Sequence, residues 1–98
     1  MIARTVEFIV KKNKLGKVKD AIDHFVRTVH VSEPGTRIYV SLQEKENINK
    51  FLHVMIFESD GAAQKHQGAG YTQKFIEILY PNCQSEPVFR DYKYLGGL

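Results

Sequence analysis

Hydrophobic and polar positions alternate at the start of the chain. Over residues 4–11, Val6, Phe8 and Val10 fall on one side and Glu7, Ile9 and Lys11 on the other, the period of a half-buried strand. From Leu15 to about Val31 the period lengthens: Val18, Ile22, Phe25, Val26 and Val29 recur at three- and four-residue steps among charged residues, predicting an amphipathic helix of about four turns. Asn13 is the expected cap of its start. Glu33-Pro34-Gly35 ends it, because a residue before proline disfavours helix and Gly35 lets the chain turn. Residues 36–44 alternate again, with Ile38, Val40 and Leu42 opposite Arg37, Tyr39 and Ser41, and the polar run 45–49 reads as a hairpin connection.

The third strand, Lys50 to Glu58, differs because both of its faces are apolar. Phe51, His53, Met55 and Phe57 share one face, while Leu52, Val54 and Ile56 share the other. Helices on one side of a sheet cover only one such face, and so short a chain has nothing left for the second. A homodimer in which two sheets face each other is therefore expected. Ser59-Asp60 opens a short helix to about Gln67, which breaks at Gly68-Ala69-Gly70. A second segment runs from about Thr72 to Tyr80 and stops before Pro81. The last strand is expected from about Pro87 to Leu95, with Phe89 alternating against Arg90 and Tyr92, and a loose tail at Gly96-Gly97-Leu98. The order βαββαβ, with a broken second helix, predicts a single α+β domain over 1–98 of split βαβ, ferredoxin-like form: an antiparallel sheet with helices on one face.

Composition narrows the function classes. With 98 residues, 43% of them hydrophobic, only one modest core is possible, so a large cofactor would displace much of it. The lone Cys83 forms no internal disulfide and lacks a partner thiol, which fits a cytoplasmic, reducing setting. The N-terminus does not read as a signal peptide, and no apolar run approaches the ~20 residues of a membrane span. The net charge of +3 raises nucleic acid as a partner, but Lys11, Lys12, Lys14, Lys17 and Lys19 cluster at a strand–helix junction without interleaved aromatics. They read as solvated surface, so neither nucleic acid nor membrane is expected as a partner. There is no His-x-x-x-His, paired cysteine motif, phosphate loop or carboxylate cluster, so no metal or nucleotide site is expected. His24 and His30, six residues apart on one helix, point in different directions and read as solvent histidines.

Glu33-Pro34-Gly35-Thr36 with Tyr39 three residues on, a strand ending Phe57-Glu58-Ser59, the run Ala62-Ala63-Gln64-Lys65-His66 and the closing Pro87-Val88-Phe89-Arg90-Asp91-Tyr92 together resemble the antibiotic biosynthesis monooxygenase family. The resemblance covers nearly the whole chain and implies a dimeric α+β barrel. It also implies one of several activities: quinol monooxygenases without cofactor, haem-degrading enzymes, or enzymes acting on signalling molecules. The family's histidine in the helix after the third strand matches His66. Where members often have a second histidine this chain has Tyr71, and where they often have Glu and Trp it has Met55 and Phe57.

A quinol-type oxygenase needs a base of near-neutral pKa, a flat apolar pocket and donors for a phenolate, because the substrate supplies its own electrons to dioxygen and no cofactor is required. His66, with Ala62 and Ala63 one turn before it, and His53, flanked by Phe51, Met55 and Phe57, are the candidate bases. A buried imidazole held by hydrogen bonds accounts for His53 equally well. Tyr39, Met55, Phe57, Tyr71, Phe75, Arg90 and Tyr92 are the candidate substrate-binding residues, the tyrosines as hydrogen-bond donors and Arg90 as an anion partner. The expected function is cofactor-independent oxygenation of a small aromatic or quinol ligand. The alternatives are a non-catalytic dimeric binding or stress-response module and haem degradation, which the absence of tryptophan disfavours.

Overall fold

The computed structural model describes residues 1–97; Leu98, the end of the expected tail, lies outside the described residues. Four strands form one antiparallel sheet in the order β2-β3-β1-β4, from β1 (Ile2–Ile9), β2 (Thr36–Gln43), β3 (Lys50–Phe57) and β4 (Val88–Lys93). Three helices, α1 (Leu15–Ser32), α2 (Asp60–Gly68) and α3 (Gly70–Leu79), complete the βαββαβ order, an α+β fold of ferredoxin-like form.

Local chemistry explains most of the boundaries. Ser59 caps α2 by accepting from the Ala62 N–H at 3.1 Å, with Asp60 in the first turn to complement the helix dipole. The break between α2 and α3 narrows to Ala69, whose extended backbone separates two helices that begin and end closer together than their glycines suggest. At the start of α1, Asn13 is not the cap. Residues Lys12–Lys14 form a 3-10 turn, and α1 begins after Lys14 with no side-chain cap.

Cross-strand register assigns the faces. Val6 pairs with His53 and Phe8 with Phe51 on β3, and Val6 also pairs with Phe89 on β4. The inner face thus carries Val6, Phe8, Phe51, His53, Met55 and Phe57, all buried beneath the helices. Val18, Ile22, Phe25 and Val29 of α1 and Phe75 and Leu79 of α3 close over them. The opposite face carries Leu52, Val54 and Ile56, with Ile38, Val40 and Leu42 beside them at 43%, 41% and 50% exposure. The two-faced pattern of β3 therefore reflects two surfaces: one is the core, and the other has no cover among the described residues.

The link from α1 to β2 packs close against α2. Glu33 N–H donates to the Val29 carbonyl, Thr36 N–H to the Glu33 carbonyl, and Glu58 N–H to the Gly35 carbonyl. At Gly35 a Cβ would lie 2.8 Å from the Ala62 Cβ, too close for two carbon atoms. Gly35→Ala is expected to force this loop and α2 apart and to lower stability by about 1–3 kcal/mol in urea unfolding. An unchanged midpoint would show that the two backbones separate freely.

Candidate active site

Between the sheet and the helices lies a cavity of about 110 Å³. Its floor is apolar, with Val6, Phe8, Met55, Phe25 and Phe75, while exposed Gln67, Tyr80 and Phe89 stand at its mouth. The volume is of the order that takes one aromatic ring, since an apolar protein cavity of ~150 Å³ binds benzene.

His66 projects from α2 into this space, held in place by aromatic rings on several sides: Phe57 at 5.2 Å, Tyr39 at 5.4 Å and Phe25 at 5.6 Å between ring centres. Its Nδ1 lies 2.9 and 3.1 Å from the two carboxylate oxygens of Glu33. The same carboxylate accepts from the Tyr71 hydroxyl and, at 2.5 Å, from the Thr36 hydroxyl. With these donors converging on it, Glu33 acts as an acceptor and His66 Nδ1 carries the hydrogen. The lone pair then sits on Nε2. Burial holds the His66 pKa below its ordinary 6.5, the Glu33 charge and hydrogen bond push back upward, and the Arg4 guanidinium lowers it further. The imidazole is therefore neutral at pH 7 with one ring nitrogen available as a base.

His53 occupies the same cavity in a different state. The Tyr39 hydroxyl lies 2.8 Å from its Nδ1 and the Ser41 hydroxyl 2.9 Å from its Nε2, so both ring nitrogens are engaged. Burial lowers its pKa to about 4. Tyr39 itself is pushed up from the ordinary tyrosine range by burial and by the Glu33 charge, and remains a neutral hydroxyl.

Of the substrate-binding candidates, Tyr39, Met55 and Phe75 line the cavity with the two histidines. Phe57 lies behind His66 as a fully buried packing residue. Tyr71 turns its hydroxyl to Glu33, and burial followed by that contact pushes its pKa up to about 12, so it orients the carboxylate instead of meeting a ligand. Arg90 and Tyr92 stand on the opposite face. Because Phe89 is opposite Val6, strand alternation directs residues 90 and 92 away from the helices.

Two residues of the site, Arg4 and Glu33, are absent from the candidates expected from the sequence. Arg4 lines the cavity and pairs through Nε with Asp91 Oδ1 at 2.8 Å, so it, and not Arg90, is the cation beside the pocket. Its signal was available, since Arg4 continues the inward series of Val6 and Phe8. Glu33 gave none beyond its place before Pro34. A porphyrin is larger than this cavity, whose volume suits a single ring.

A family model described as antibiotic biosynthesis monooxygenase matches residues 1–78. Among solved structures, a crystal structure of an antibiotic biosynthesis monooxygenase superimposes with a TM-score of 0.91 at 10% identity, covering 98% of this chain and 100% of the other. A candidate antibiotic biosynthesis monooxygenase from Caulobacter crescentus CB15 gives 0.91 at 18% identity, with 97% and 90% covered. One from Nitrosomonas europaea gives 0.89 at 18% identity, with 98% and 100% covered. At these identities the likeness establishes the fold alone. None of the curated proteins matches the sequence significantly.

The buried state of His53 has a consequence for stability. The unfolded chain takes up a proton near pH 6.5, whereas the folded imidazole resists it until about 4, so stability present above pH 6.5 is lost as the pH falls toward 4. The difference corresponds to roughly 3 kcal/mol. Urea midpoints of the wild type are expected to fall between pH 7 and 4.5, and those of His53→Gln to fall distinctly less. Parallel losses in both proteins would assign the acid sensitivity elsewhere.

Proposed function

This chain belongs to the antibiotic biosynthesis monooxygenase family, and from that membership and the cavity geometry we propose that it oxygenates a single-ring phenol or quinol with dioxygen, His66 serving as general base. The observation that carries the reading is the Glu33–His66 pair, with Nδ1 donating to a buried carboxylate and Nε2 left at an apolar cavity. A base whose orientation is fixed by a third group is the arrangement that proton abstraction from a hydroxyl requires.

For a hydroquinone the steps balance as follows. His66 Nε2 removes one hydroxyl proton, and the resulting anion gives one electron to dioxygen. The two radicals combine at a ring carbon to form a C–O bond, leaving a peroxide that receives the proton from His66. Loss of water, with the ring hydrogen at that carbon leaving as a proton, gives a hydroxyquinone. One oxygen atom enters the ring and the other leaves as water, and all four electrons come from the substrate. Arg4 stabilises the anion and Glu33 the imidazolium, each by opposite charge in a poorly hydrated space.

Oxygen uptake with hydroquinone, above the rate without protein, is the measurement. His66→Ala is expected to lose about 10²–10⁴-fold. The wild-type kcat/KM rises with pH as His66 loses its proton. In Glu33→Gln that rise shifts to lower pH, because the charge that raises the His66 pKa is gone, and the plateau falls roughly tenfold or more. Binding without turnover, unaffected by His66→Ala, would identify a non-catalytic binding module instead.

The uncovered sheet face supports a homodimer in the same proposal. Ile38, Val40, Leu42, Val88 and Tyr92 are 41–53% exposed on one surface, with Leu52, Val54 and Ile56 between them. A second copy placed sheet against sheet covers all of them. Light scattering at micromolar concentration is expected to give twice the chain mass, and Val54→Lys, which places a charge in the centre of this face, to give a monomer. A monomeric wild type would remove this part of the proposal.

A further inference from the structure

Strand alternation directs Phe89, Asp91 and Lys93 of β4 to the helix side of the sheet, and of these only Phe89 is apolar. No helix covers that side of β4. Every residue of the strand is exposed, and Phe89 is 51% exposed although Val6, its partner across the pairing, is 7% exposed. On α3, Tyr80 follows the buried Leu79 at 39% exposure, one helical turn after the half-buried Ile76. Phe89, Ile76 and Tyr80 all line the cavity that holds His66. Apolar side chains therefore continue from its buried floor through Ile76 to two exposed rings at its mouth. Single exposed apolar side chains are ordinary on a protein surface, but two rings continuous with an apolar cavity form a surface that gains from being covered. The sheet-to-sheet dimer leaves them bare, because Phe89 lies on the helix side.

We propose that Phe89 and Tyr80 form an outer subsite for an aliphatic chain, so that the ligand is a ring inside the cavity carrying an apolar substituent that leaves through the mouth. This rests on the reading of the cavity as the substrate site, but it concerns the substituent and neither the ring hydroxyls nor the oxygen step. The interior volume suits one ring, so a larger group must extend outward, where these two side chains meet it. A carboxylate on the chain would approach the exposed Asp91 that pairs with Arg4, which favours an uncharged chain. Phe89 and Tyr80 determine specificity and touch no reacting atom.

Anaerobic calorimetry with phenol, p-ethylphenol and p-propylphenol tests this without turnover. Wild-type affinity is expected to rise about 2–4-fold per added carbon, the range for a half-buried to fully buried methylene. Replacing both rings, Phe89→Ser with Tyr80→Ser, is expected to leave phenol binding unchanged and to cut the p-propylphenol advantage to under about 3-fold. Phe89→Leu with Tyr80→Leu, which keeps apolar area at the mouth, is expected to retain most of it. The same chain ending in a carboxylate, p-hydroxyphenylpropanoate, is expected to bind more weakly than p-propylphenol. Equal affinity for phenol and p-propylphenol, binding of neither, or preference for the carboxylated chain would overturn the proposal. So would an advantage that survives in the double serine variant, or loss of phenol binding there. A double serine variant that unfolds or changes mass in light scattering would assign the rings to the fold or to an interface between copies, and would overturn it as well. Chain-dependent affinity without oxygen uptake would preserve this inference and reject the oxygenase reading; oxygen uptake with hydroquinone but no chain dependence would do the reverse.

Discussion

The buried carboxylate of Glu33 is the interaction on which the site depends. It is 3% exposed, and a charge removed from water to that extent is tolerated only when donors replace the solvent. Three side chains do so: Thr36 at the start of β2, His66 of α2 and Tyr71 of α3. The Glu33 backbone N–H also caps the end of α1, so one residue ties together four elements. Removing it would orphan three donors at about 1–3 kcal/mol each, far more than an exposed pair such as Asp23–Arg27, worth at most ~1 kcal/mol. The close approach of Gly35 to Ala62 completes the arrangement, since it brings the loop near enough to α2 for the carboxylate to reach the imidazole.

Two histidines share the cavity and differ in what they can do. His53 has a hydroxyl on each ring nitrogen, and with a pKa near 4 it is a weak base. It holds Tyr39 and Ser41 in place and needs no charge to do so. His66 has a carboxylate on one nitrogen and an open cavity at the other. Burial weakens it as a base too. The Glu33 charge counteracts that effect, while Arg4 opposes Glu33 and supplies the positive field a phenolate would require. The two rings therefore differ in what their nitrogens meet: two hydroxyls for His53, a carboxylate and the open cavity for His66.

Strand alternation made the fold legible before any coordinate. It separated the two faces of β3, and helical periodicity located the core positions of α1. What it left undecided was which face of β4 points inward, because that depends on the register between β1 and β4. Without the pairing of Phe89 with Val6, Arg90 and Tyr92 looked like pocket residues. Arg4 was hidden for the opposite reason: its charge suggested solvent although its parity matched Val6 and Phe8. Glu33 belongs to no period. Its role arises from long-range contacts with residues 33 and 38 positions away, which no local pattern records.

A chain of 98 residues with a modest core nevertheless keeps a cavity of about 110 Å³ beneath its helices. The atoms around such a space forgo packing contacts that a filled core would make, in a domain ordinarily stable by only about 5–15 kcal/mol. The buried Glu33 adds a constraint of its own. Both burdens fall on the inner face, while the outer face carries apolar residues with no cover among the described residues. Burying a single Ile, Val or Leu from water is worth up to ~1.5–3 kcal/mol, and several half-exposed side chains of this kind stand on the outer face. A second copy seated there, as proposed, would offset the cavity through a surface that takes no part in ligand binding. The sheet then separates the two tasks: one face is left incompletely filled for a ligand, and the other gains its stability from association.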